Sequence, residues 1–203
     1  MFEKFASNFR ITGDLQLTES NKEFYKGLPD ALFEFYDKFG GQTFNDGLYR
    51  AHSFSSSITW SSIIARYFNK YKGVIYPFAF DWMGRQFCIS INNSQMIYMF
   101  DVETCEDFEL QQDLVSYHNN DLVEDVDAML SEGLFIETLR LNNVSDIKYN
   151  ECFSFKKPLL LGGEDKIENY EQTDIEVYWD IQGQIVEKVK SLPPGTKVNI
   201  RLS

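Results

Sequence analysis

Few residues in this chain could do chemistry, and none falls in a spacing that fixes a reaction. There are three cysteines, Cys88, Cys105 and Cys152, and two histidines, His52 and His118. A nucleophilic thiol needs a histidine beside it. Each cysteine has large apolar or aromatic neighbours in sequence, which suits a buried structural thiol better. Two histidines this far apart make no His-Glu-x-x-His zinc site. Asp81, next to Trp82, reads as a turn cap or as an acid in an apolar pocket. Gly162-Gly163 is not followed by Gly-Lys-Ser/Thr, so there is no Walker loop. No Gly-x-Gly-x-x-Gly follows a strand, and no Gly-x-Ser-x-Gly elbow occurs. The expectation is no catalytic residue, no cofactor and no metal. The competing reading is an enzyme whose pocket holds Asp81 or a histidine.

Charge is the stronger signal. The chain carries 19 Lys plus Arg against 31 Asp plus Glu, a net charge of −12. Residues 1–85 and 140–203 nearly balance, whereas 86–139 contain no basic residue and twelve acids. A field of that kind speeds and orients encounter with a basic partner. We expect the partner-binding residues among Asp101, Glu103, Glu106, Asp107, Glu109, Asp113, Asp121, Glu124 and Asp125. The plainer alternative is a solvated face that keeps the protein soluble. A calcium loop is disfavoured, because no Asp-x-Asp-x-Asp-Gly is present. The same charge repels phosphate backbones and anionic membranes, so neither nucleic acid nor membrane is expected as a direct partner. An odd number of widely spaced cysteines, and a start without a basic flank and apolar run, point to a reducing cytoplasm.

The elements that must carry these residues follow from periodicity. At 203 residues the chain is long enough to bury roughly 70% of the surface its unfolded form exposes. Its 18 Phe and 11 Tyr supply much of that core. Phe2, Phe5 and Phe9 share a face of a short helix over 1–9. A second helix is expected over 18–26, with Thr18 as N-cap. Pro29 opens a third, with Leu32, Phe35, Tyr36 and Phe39 inward and Gly40-Gly41 as its stop. Asn45-Asp46-Gly47 marks a turn between short strands. Trp60, Ile63, Ile64 and Tyr67 give a helix over 57–68. Three strands then follow over 74–80, 85–91 and 95–100, with an edge strand over 108–110, as an antiparallel meander.

Asn119 and Asn120 read as caps of a helix with Leu122, Val126, Met129 and Leu130 inward. Another short helix covers 135–141, and a loop 145–152. Pro158 to Gly163 reads as a short apolar strand or buried turn. The longest helix spans 174–192, with Gly183 as a weakness of about 1 kcal/mol. A strand over 196–202 ends the chain. The fold class is α+β: N-terminal helices, a central antiparallel meander, C-terminal helices and a terminal strand. The best boundary lies between Gln111 and Asn120, giving regions 1–115 and 116–203, with packing as one unit the alternative.

Two segments resemble a known family. The first combines Leu28-Pro29, the helix ending in Gly40-Gly41, Phe44 to Leu48, and Tyr76-Pro77-Phe78-Ala79-Phe80-Asp81-Trp82-Met83-Gly84-Arg85. It is similar to the GAD-like domain of bacterial type VI secretion immunity proteins and, in its opening, to the wider SUKH immunity superfamily. The second combines Lys157-Pro158-Leu159-Leu160-Leu161-Gly162-Gly163, Asn169-Tyr170 and Val177-Tyr178-Trp179-Asp180-Ile181-Gln182-Gly183-Gln184. It resembles the C-terminal domain of immunity proteins that protect cells from a secreted DNase toxin. The resemblance implies an α+β cytoplasmic protein without catalysis, bound to a cognate toxin that is a basic nuclease. An orphan homologue serving as another interaction or regulatory module is the alternative. The matching residues are mostly apolar, Gly and Pro, so they imply a fold and no binding site.

Overall fold

The computed structural model describes residues 1–15, 28–189, 192 and 196. Its centre is a meander of seven antiparallel strands in strict chain order. β1 (Ile11–Thr12), β2 (Thr43–Phe44) and β3 (Tyr49–Ala51) are short. β4 (Ile75–Asp81), β5 (Gln86–Ser90), β6 (Ile97–Asp101) and β7 (Glu106–Leu110) form the body of the sheet. The Asn45–Gly47 turn joins β2 to β3, with Asn45, Asp46 and Gly47 all at positive φ, as the Asn-Asp-Gly triplet leads one to expect.

Helices cover both faces of this sheet. α1 (Glu3–Asn8) and α2 (Asp30–Phe39) lie on one face and α3 (Phe54–Tyr67) on the other. Ser53 caps α3 by accepting from Ser56 N–H. Burial on two sides explains the near-continuous apolar reading of β4 and β5. Phe87 and Ile89 of β5, with Ile97 and Met99 of β6, join the core under α1 and α2. Cys88, Tyr98 and Phe100 join the core under α3.

After β7 the chain turns helical at Leu114, five residues before the expected caps. Asp113 is the cap, accepting from the Val115 and Ser116 amides at 2.9 Å each. α4 (Leu114–Ser116) runs through a π-turn at Tyr117–Asp121 into α5 (Leu122–Glu124). Asp125 breaks the helix and caps α6 (Val126–Leu130) through Ala128 N–H. Asn119 does something else. Its side chain accepts from Phe5 N–H and donates to Met1 O, pinning the N-terminus. α7 (Glu132–Asn142) confirms the expected short helix and starts three residues earlier.

The loop expected over 145–152 contains the start of a strand. β8 (Glu151–Phe155) pairs with β9 (Tyr170–Asp174) as a separate hairpin. Pro158 to Gly163 is a 3-10 turn, with Leu160 outward. α8 (Ile175–Val189) is the longest helix described. The helix expected over 18–26 lies outside the described residues, as does the strand over 196–202 apart from Thr196.

Gly183 has a reason to interrupt α8. A Cβ there would meet the Tyr67 ring at 2.2 Å, so the glycine lets α8 approach α3. G183A should therefore destabilise by roughly 1–3 kcal/mol through overpacking, outweighing its gain in helix propensity of about 1 kcal/mol. Urea unfolding checks the sign, and a stabilised variant would contradict the packing argument.

Candidate functional site

The residues with catalytic potential are engaged inside the fold. Asp81 is fully buried, and its Oδ1 accepts from the Met83 and Arg85 amides, both at 3.0 Å. Its Oδ2 accepts from Arg85 Nε at 2.6 Å. It is a turn cap with a cation. Burial works against the Arg85 charge, but Asp81 lifts its pKa above the ordinary value.

His118 Nδ1–H donates to Leu114 O at 2.7 Å, which leaves Nε2 to accept from the Tyr49 hydroxyl at 3.0 Å. His52 Nε2 bonds Gln86 Oε1 at 2.8 Å. Burial lowers both histidines to about 3, so both are neutral at pH 7. Cys88 and Cys152 are buried and unbridged, and burial pushes both thiols upward. Among the described residues no group of three His, Cys, Asp or Glu could hold a metal. A groove of about 770 Å³ between α3 and β4–β5 is lined by residues such as Ile58, Ser61, Arg66, Lys72 and Ile91, with no acid, thiol or imidazole.

The nine acids expected at the partner face divide in three. Asp101 and Glu103 turn inward at the β6–β7 turn. Asp101 Oδ1 accepts from Glu103 N–H at 2.8 Å, and burial raises its pKa, opposed by that bond and by Arg85. Glu103 is 3% exposed. Its Oε1 accepts from Leu159 N–H at 2.6 Å, its Oε2 from the Tyr178 hydroxyl at 3.2 Å, and its carbonyl from Gln182 Nε2. It fastens the meander to α8. Burial raises it to about 7, against the pull of Leu159 and Tyr178.

Asp107 is tied to Lys70 and the Tyr71 hydroxyl. Of the rest, Glu106, Glu109, Glu124 and Asp125 are exposed, and Asp113 and Asp121 are half-buried. Glu106 and Glu109 are exposed on β7, beside Phe108 at 43% exposure. Asp113, Asp121 and Glu124 lie close together on the helical segment, and Asp121 is raised by burial, then by repulsion from Glu124 and Asp113. Asp125 is exposed at the α6 cap. Sequence reasoning had no means of separating the inward pair from the outward set, because the turn residues carry no periodicity.

These placements fix the pH dependence of stability. Glu103 favours the protonated fold, so its contribution is present below about 4.5 and is lost as pH rises through about 7. The histidines favour the neutral fold, so their contribution is present above about 6.5 and is lost as pH falls toward about 3. Each group changes the slope by about 1.4 kcal/mol per pH unit. Stability should peak between pH 6.5 and 7 and decline on the acid side, where two histidines oppose one glutamate. E103Q should steepen the decline between pH 6.5 and 4.5. Urea unfolding at stepped pH reads both slopes, and a profile flat from pH 7 to 5 would refute the assignment.

The β4–β5 turn and its neighbours also gather bonds from later parts of the chain. Arg50 is fully buried and donates to Asp81 O, to Lys148 O at 3.1 Å and to Glu151 O. Its guanidinium stands 4.6 Å over the Phe80 ring. Burial lowers its pKa to about 10, so it stays charged at pH 7. Trp82 Nε1–H donates to Leu130 O at 2.7 Å, and Trp179 Nε1–H to Gly84 O at 2.8 Å.

Comparison with known proteins now bears on this arrangement. Residues 119–186 match the family model described as T6SS immunity protein Tdi1, C-terminal, and that match supports a type VI secretion immunity protein. No curated protein matches the chain. The crystal structure of Atu4351 from Agrobacterium tumefaciens is similar, with a TM-score of 0.68 at 16% identity over 91% of this chain and 89% of that one. At that identity the likeness concerns the fold alone. Among the described residues no helix is long and apolar enough to cross a membrane.

Proposed function

We propose that this protein binds and neutralises a DNA-degrading toxin of a type VI secretion system by docking an acidic face onto the toxin's DNA-binding cleft. The match over residues 119–186 to a type VI immunity C-terminal domain carries the reading. The charge map gives it a mechanism. A nuclease must attract a phosphate backbone, so its cleft is basic. Glu106, Glu109, Asp113, Asp121, Glu124 and Asp125 offer carboxylates in place of phosphates. Association gains rate from steering, and affinity from apolar anchors such as Phe108. The protein acts by occupancy rather than by catalysis, with no cofactor, in the cytoplasm where the toxin meets DNA.

The test is co-expression with the product of the adjacent gene. Stable co-purification, rescued growth and intact DNA support the reading. A neighbour that degrades DNA but is neither bound nor neutralised overturns it. A neighbour that is bound and neutralised yet spares DNA overturns the nuclease part alone.

A further inference from the structure

Among the described residues β7 closes one side of the seven-stranded sheet and pairs only with β6. Among the described residues, one further backbone bond reaches this strand, from Gln112 N–H to Leu110 O. The outer row of β7 is therefore a template for another strand. Its side chains decide which strand fits. Asp107 already has Lys70 and Tyr71. Glu106 and Glu109 are exposed and make no ion pair with any described residue, and Phe108 stands between them. A second copy is disfavoured. Antiparallel pairing about Phe108 would set Asp107 against Glu109, and parallel pairing would set each acid against itself. A strand with an apolar residue opposite Phe108 and lysine or arginine opposite Glu106 and Glu109 meets complementary partners at all three positions.

The geometry points to strand addition: β7 takes up an extended, basic strand of the partner as an eighth strand of the sheet. Taking that partner to be the toxin rests on the immunity reading. The backbone supplies the hydrogen bonds, the acids select for basic sequence, and the same acids keep the edge from pairing with itself.

The probe is the peptide acetyl-Thr-Val-Lys-Val-Thr-Lys-Thr-amide. Antiparallel to β7, it sets its lysines against Glu109 and Glu106 and a valine against Phe108. Its control carries N-methyl groups on alternate amides, which keep the charge and block strand pairing. With the full-length protein at low salt, the unmodified peptide should bind at least about tenfold more tightly. It should also slow hydrogen exchange at the outward amides of 106–110 by about tenfold or more. Equal affinity for the two peptides overturns the inference, and so does protection confined to another segment. Outward amides that are already protected in the free protein also overturn it, because the edge would be filled. The co-purified toxin separates the two claims. Toxin bound and neutralised with 106–110 unprotected removes strand addition and leaves the immunity reading. A peptide-protected β7 with no toxin binding removes the immunity reading and leaves the edge.

Discussion

The triple variant E106K/E109K/E124K should capture the toxin about ten- to a hundredfold more slowly at low salt, with little change in its own folding. These three carboxylates are exposed and serve neither as a cap nor in an ion pair with any described residue. Reversing them changes the field by about six charges and spares internal bonds. The effect should shrink as salt rises, because exposed charges are screened beyond about 10 Å at 0.1 M. The acids at Glu103 and Asp113 must be left alone, since one holds Leu159 and Tyr178 and the other caps α4. Stopped-flow association at two ionic strengths is the measurement. An unchanged on-rate with an unchanged salt slope would place the docking face elsewhere.

R50M should be the most destabilising single substitution in the meander. It removes a charged donor from Asp81 O, Lys148 O and Glu151 O, although Asp81 O keeps Gly84 N–H and Lys148 O keeps Glu151 N–H. A hydrogen bond to a charged group is worth about 1.5–3 kcal/mol, so losing three of them costs several kcal/mol. That is a large share of a typical total near 5–15 kcal/mol. R50K should fall between, since one ammonium keeps the charge but lacks the planar fork that reaches three carbonyls. Urea unfolding with far-UV detection ranks the series. A loss in R50M below about 1 kcal/mol would show that water replaces the guanidinium freely.

The helices and the meander were legible because their apolar residues repeat at the periods that two-sided burial demands. α2 shows this best, with Leu32, Phe35, Tyr36 and Phe39 buried as their spacing requires. The β8–β9 hairpin was not legible. β8 is buried along almost its whole length and shows no alternation, and in β9 only Tyr170 is a buried apolar residue. Each strand is held by the other and by Trp82, whose carbonyl accepts from Phe153 N–H at 2.8 Å. That information is tertiary. The start of α4 was misplaced because two asparagines outranked one aspartate as caps, and Asn119 was serving the N-terminus. For the candidate face, composition located the acidic block, but only the fold showed that Glu103 is a fastener. Arg50 carried no signal at all, being one arginine among ordinary strand residues.

The strict chain order of the sheet sets a sequence of events during synthesis. Each strand of the meander pairs with the strand made just before it, so its contacts are local and can form early. Arg50 depends on later residues. Two of its three acceptors, Lys148 O and Glu151 O, lie about a hundred residues further on. At about 5–20 residues per second, a nascent meander waits several seconds for them with an unmatched cation at its centre. A chain cut short before residue 148 should therefore be a substrate for chaperones and proteases rather than a working fragment, and the capacity to bind arrives only when the last third of the protein has emerged.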